Sequence, residues 1–128
     1  MAESGTKLTP AEWHLLECLW EASPRTGREA VEYLEERVGW KRSTTLTLLR
    51  RMTEKGLLAS EEIEGVRSYY PLVRREEAAV RQTRDFLSRV YKGSVGMMLS
   101  AIVERQELTE EEIVELHEIL RKAKEAGK

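Results

Sequence analysis

The sequence predicts a mainly α-helical protein with one small β-hairpin, set between three N-terminal helices and a C-terminal helical region. Three observations support this. Apolar residues recur at helical spacing through most of the 128 residues. Three capping boxes mark helix starts, at Thr9-Pro10-Ala11-Glu12, Thr26-Gly27-Arg28-Glu29 and Thr109-Glu110-Glu111-Glu112. Two short β-type runs, 57–62 and 68–72, break the helical pattern, and Glu64-Gly65 between them suits a tight turn.

The elements follow in order. In the first helix, Thr9 is the N-cap and Pro10 takes the first helical position, where a missing N–H costs nothing. Trp13, Leu16, Leu19 and Trp20 form its apolar face, and Ser23-Pro24 ends it. The second helix places Ala30, Val31, Leu34 and Val38 on one side and stops at Gly39. The third runs over about 42–55 and stops at Gly56, with Thr45, Leu48, Leu49 and Met52 inward. Its opposite face carries Ser43, Thr44, Thr47, Arg50 and Arg51. In the hairpin, Pro71 belongs at an edge or a strand end, because it has no N–H to give to a ladder. A fourth helix covers 75–92, and Lys92-Gly93-Ser94 breaks it. Val95, Met98, Leu99, Ile102 and Val103 mark a fifth helix. A sixth starts at Thr109 with Ile113, Leu116, Ile119 and Leu120 inward, and the polar residues from Ala123 onward are expected to fray.

Composition excludes several classes. Hydrophobic residues make up 41% and charged residues 34%, a globular rather than a disordered balance. The single cysteine, Cys18, allows no intrachain disulfide framework and no cysteine-cluster metal site. Its apolar helical setting suits a packed thiol better than a redox sensor. The polar N-terminal residues hold no apolar run suited to a signal peptide, and no stretch approaches a membrane span, so a cytoplasmic location is expected. His14 and His117 are far apart and lack the acid or cysteine partners of a catalytic or zinc site. With no glycine-rich phosphate loop either, neither enzyme activity nor a cofactor is expected.

Charge distribution is more informative than the net charge of −2. Residues 11–40 carry seven acids against three bases, whereas residues 41–75 carry eight bases against four acids. A basic segment within an acidic chain is the electrostatic footprint of nucleic-acid binding. Three helices followed by a hairpin is the element order of a winged helix-turn-helix. The third helix carries suitable chemistry, since short hydroxyls allow close approach to bases and phosphates and arginine can bond either. The DNA-contact candidates are therefore Arg42, Ser43, Thr44, Thr47, Arg50, Arg51, Lys55 and, on the wing, Arg67. Glu61, Glu62 and Glu64 are expected to turn away from the face that bears Arg67, although an ordinary exposed hairpin is also open. So is a winged helix that binds protein rather than DNA.

Motifs along most of the chain resemble the penicillinase-repressor and methicillin-resistance-repressor (BlaI/MecI) family of bacterial regulators. They begin with Leu8-Thr9-Pro10-Ala11-Glu12-Trp13, Leu19-Trp20 and Trp40. Ser43-Thr44-Thr45-Leu46-Thr47-Leu48-Leu49-Arg50-Arg51-Met52 and Lys55-Gly56 follow, then Tyr69-Tyr70-Pro71-Leu72. Phe86-Leu87, Val90-Tyr91, Gly93-Ser94, Leu108-Thr109-Glu110-Glu111-Glu112-Ile113 and Leu116 complete the pattern, over about 7–122. The resemblance implies a winged-helix DNA-binding domain at 1–74 and a helical dimerisation domain at 75–128. It also implies a homodimeric repressor on an inverted-repeat operator of double-stranded DNA, controlling resistance genes of the β-lactamase type. Members of the penicillinase type are released by a membrane metalloprotease-sensor that cuts an Asn-Phe bond. Ala101-Ile102 stands at that place here, a departure that bears on the switch, and Lys92-Gly93-Ser94 is a second candidate for cutting. The paired cysteines of related copper-responsive repressors are absent.

The C-terminal region holds more apolar residues than so short a helical segment can enclose. Phe86, Val90, Val95, Met98, Leu99, Ile102, Val103, Ile113 and Leu116 are therefore expected to pack against a second copy. Packing within one chain is the alternative, and a cofactor pocket at Met97 and Met98 is a weaker one.

Overall fold

The computed structural model describes residues 7–105 and 107–127, and the polar lead at 1–6 lies outside them. The elements in order are α1 (Pro10–Glu21), β1 (Arg25–Thr26), α2 (Gly27–Val38), α3 (Arg42–Glu54), β2 (Leu58–Ile63), β3 (Val66–Pro71), α4 (Arg75–Tyr91), α5 (Val95–Glu104) and α6 (Glu110–Ala126). Two compact units divide the chain, Met1–Thr83 and Arg84–Lys128, with the division inside α4.

In the first unit the helix starts are chemically defined. Thr9 Oγ1 accepts the Glu12 N–H at 3.1 Å while Glu12 Oε1 accepts the Thr9 N–H at 3.0 Å. Thr26 and Glu29 repeat the exchange at the start of α2. Two backbone donors are thereby satisfied at the start of each of these helices. At the other end of α2, Gly39 takes φ +80° and its N–H reaches the carbonyls of Leu34 and Glu35. A side chain at that left-handed position would be strained.

Leu15, Leu16, Cys18, Leu19, Ala30, Leu34, Leu49, Met52, Leu57 and Leu58 form the core. The buried stripe of α1 thus runs through Leu15 and Cys18, and not through Trp13 and Trp20 as expected; both indoles are only half-buried. The indoles meet edge to face, with centroids 5.1 Å apart, at the margin of the core. There each indole N–H finds a partner, Glu17 Oε2 for Trp13 and the Val73 carbonyl for Trp20. Cys18 is fully buried, and burial pushes its thiol up to about 11, so it stays protonated and unreactive at neutral pH.

The sheet has three antiparallel strands in the order β1-β3-β2, one more than expected. β1 is two residues long, pairing Arg25 with Tyr69 and Thr26 with Ser68, too short to leave a periodic trace in sequence. Ile63 pairs with Val66 across the two-residue turn, where Glu64 and Gly65 both have positive φ, 54° and 81°. Such turns match the right-handed twist of the strands they join. Pro71 closes the central strand β3 at its end, where no ladder bond is missed.

The second unit comprises the rest of α4, then α5 and α6. Ser94 caps α5 through its hydroxyl and Thr109 caps α6 in a third capping box. α6 continues to Ala126 rather than fraying from Ala123, and Arg121 bridges Glu118 and Glu125 along it. No described residue of α5 or α6 is buried. Ile119 and Leu120, expected inward, are 52% and 59% exposed, because this unit has no chain of its own to cover them.

One core position is imperfect. Thr45 is fully buried and its Oγ1 has no hydrogen-bond partner. Thr45→Val keeps the branched shape and removes the orphaned hydroxyl, so it should stabilise the fold by about 1 kcal/mol. Urea unfolding would check this, the expected result being a higher midpoint with an unchanged slope.

Candidate nucleic-acid interface

α3 is locked by one face and offers the other. Thr45, Leu49 and Met52, at i, i+4 and i+7, are buried to 0%, 1% and 0% exposure. Leu48 is half-buried beside them. This leaves Arg42, Ser43, Thr44, Arg50, Arg51 and Lys55 exposed. Thr47, expected on the fully exposed side, is half-buried, because it lines an open groove shared with Ala11 of α1. Ser43, Thr44, Leu48 and Arg51 line the same groove. Hydroxyl, methyl and guanidinium groups therefore alternate along one accessible strip of helix, and base edges and phosphates match those groups.

Three of the eight candidate contact residues already have partners. Lys55 Nζ sits 2.5 Å from Glu12 Oε2, whose carboxylate is 7% exposed. Glu12 thus joins the start of α1 to the end of α3 while its other oxygen completes the capping box. Arg50 Nη1 lies 3.5 Å from Glu54 Oε2, and both side chains are more than half exposed. Glu54, absent from the candidate set, lies four residues beyond Arg50, a spacing legible in the sequence. The Glu12–Lys55 link spans 43 residues and had no local signal.

On the wing, Arg67 Nη1 donates to Ser60 Oγ at 2.9 Å. Glu62 stands directly across from Arg67 in the strand register, so the two share a sheet face. The expectation that all three wing acids turn away from the face of Arg67 fails for Glu62: alternation along β2 puts Glu62 and Ser60 on one side and Glu61 on the other. All three acids are exposed.

The remaining candidates belong to the second unit. Phe86, Val90, Val95, Val103 and Ile113 are exposed, by 42% to 55%, while Met98, Leu99, Ile102 and Leu116 are half-buried. Met97 and Val114, at 50% and 68%, extend the apolar surface beyond the expected set. Among the described residues, no cluster of His, Cys, Asp and Glu could hold a metal ion, and no helix is long and apolar enough to cross a membrane.

A helical trio whose third member exposes a polar, basic strip, followed by a two-stranded wing, defines the winged helix-turn-helix class of transcription regulators. The chain belongs to the penicillinase repressor family, which it matches over residues 8–122. Members of that family are repressors, not enzymes. The methicillin resistance regulatory protein MecI of Staphylococcus aureus (strain N315) is 27% identical over 116 residues, covering 91% of this chain and 94% of MecI. The penicillinase repressor of Bacillus licheniformis is 28% identical over 122 residues, covering 95% of both. Among solved structures, the Bacillus licheniformis BlaI monomeric form, determined in complex with the blaP half-operator, superposes with a TM-score of 0.51. It is 24% identical and covers 56% of this chain and 88% of its own. A MarR family protein from Bacillus stearothermophilus superposes with a TM-score of 0.50 at 23% identity, covering 98% of this chain and 80% of its own. These two likenesses establish the fold.

Proposed function

We propose that the chain is a cytoplasmic, sequence-specific DNA-binding repressor that acts as a homodimer on an inverted-repeat operator. The accessible strip of α3 is the observation that carries this reading. Thr44, Thr47 and Ser43 approach the bases, Arg51 reads a base or grips phosphate, and Arg42, Arg50 and Arg67 meet the backbone. Arg50 must first leave Glu54, a cheap step because exposed ion pairs are worth at most about 1 kcal/mol. Lys55 contributes less, since Glu12 already holds its ammonium. Residues 1–74 then form the DNA-binding part and 75–128 the dimerisation part. The names of the relatives point to β-lactam resistance genes as the targets. A membrane metalloprotease-sensor is the proposed partner in release.

A mobility-shift titration with the protein's own promoter tests binding. Each phosphate neutralised adds about −0.9 to the slope of log affinity against log salt. Arg50→Ala with Arg51→Ala should weaken binding and flatten that slope by about 0.9 to 1.8. An unchanged slope and affinity would refute the assignment.

Assembly has its own test. The unaltered protein should sediment as a dimer, and Met98→Asp should split it, since an unpaired charge in an apolar interface is costly. Operator affinity should then fall by about a hundredfold or more, as two half-sites cease to act together. A monomeric unaltered protein would contradict the proposal.

Release by proteolysis predicts a fragment of about 92 to 101 residues after induction in cells that contain the membrane protease. Lys92 and Gly93 are exposed between helices with φ of 53° and 84°, whereas the Ala101–Ile102 bond lies inside α5 and needs local opening. Mass spectrometry would decide, and a full-length chain under derepressing conditions would eliminate cleavage as the switch.

A further inference from the structure

The first two turns of α4 are fastened to the winged helix by a set of contacts that the DNA-facing strip does not use. Arg75 Nη2 donates to Glu17 Oε2 at 2.9 Å and its Nε donates to Oε1 at 3.4 Å, so the guanidinium grips both carboxylate oxygens. The same guanidinium lies 5.7 Å from the Trp13 ring centroid and 5.9 Å from that of Trp20. Trp20 Nε1 donates to the Val73 carbonyl at 2.8 Å, which pins the chain just before the helix begins. One turn further, Ala78 is 1% exposed, small enough for close backbone approach. Another turn on, Gln82 Nε2 donates to the Leu8 carbonyl at 3.2 Å. Arg75, Ala78 and Gln82 stand at i, i+3 and i+7, one face of α4, and the first compact unit ends at Thr83. The fastening thus runs along the part of α4 that lies in the first compact unit.

We propose that Glu17, Trp13, Trp20 and Arg75 form a positioning clamp that sets the direction in which α4 leaves the winged helix, and thereby the half-site spacing the dimer accepts. This rests on the dimeric repressor reading above. Geometry supplies the reason. α4 has 17 residues, so at about 1.5 Å per residue it is a rod of about 25 Å. A tilt of about 10° at its base moves the far end by about 4 Å, close to the roughly 3.4 Å rise of one base pair. Loosening the clamp would therefore blur the spacing by about one base pair without touching α3. The hydrogen bonds from Arg75 also hold the Glu17 carboxyl below the usual glutamate range, so the clamp stays charged and closed at neutral pH.

The test compares the full-length protein with Arg75→Ala and with Glu17→Gln, which preserves side-chain shape. Each is titrated against a duplex bearing one half-site and against full operators with the natural spacer or one changed by one or two base pairs. Thermal melts monitored by circular dichroism establish that each variant is folded. Half-site affinity should stay within about twofold, affinity for the natural spacing should fall about tenfold, and the preference over altered spacers should flatten. A variant that keeps the original spacing preference overturns the clamp, as does one that loses half-site and full-operator affinity in equal proportion. An unaltered protein that binds no DNA, or binds as a monomer, overturns the repressor reading and with it the clamp.

Discussion

The exposed strip of α3 depends on the burial of its other face, where Leu49 and Met52 join the residues of α1 and α2 in the core and Thr45 is buried beside them. A fully buried large aliphatic side chain stabilises a fold by about 1.5–3 kcal/mol, so Leu49 and Met52 together hold α3 firmly in one rotation. Turning α3 by about half a turn would put Arg50 and Arg51 toward the core, and an unpaired buried charge costs far more than the packing returns. The exposed strip of α3 is thus a consequence of its anchor. The capping boxes at Thr9 and Thr26 complete the frame by defining where the two supporting helices begin.

Cationic charge in the first unit is divided between binding and architecture. Lys55 is held by Glu12, Arg75 by Glu17 and Arg25 by the Cys18 and Ala22 carbonyls, all within the fold. Arg42 and Arg51 on α3 have no salt-bridge partner among the described residues, and Arg50 is only loosely paired. In the dimer proposed above, two half-sites acting together would turn the attraction of each into tight and selective binding.

The second unit has the opposite problem. Its helices are well capped, yet no described residue of α5 or α6 is fully buried, and Val95, Met97, Val103 and Val114 are each at least half exposed. Exposed apolar surface of that extent supports the proposed packing against a second copy. A segment of this length cannot fold its apolar residues inward, because too much of a small unit is surface.

The sequence by itself determined the six helices, the capping boxes of three of them, the wing turn at Glu64-Gly65 and the inward residues Thr45, Leu49 and Met52. Those features obey local rules, and the residues that encode them lie within a turn or two of one another. It also placed the basic strip, since faces of a helix follow from spacing alone. Tertiary structure decided what depends on distant partners. β1 exists only because β3 lies beside it, and the burial of Leu15 and Cys18 in place of Trp13 and Trp20 follows from where α2 and α3 pack. Lys55 became a strut because Glu12, remote in sequence, is its neighbour in space, and Glu62 came to share a face with Arg67 through strand register. Such pairings have no periodicity to betray them; they arise from the order in which helices and strands stack around one core.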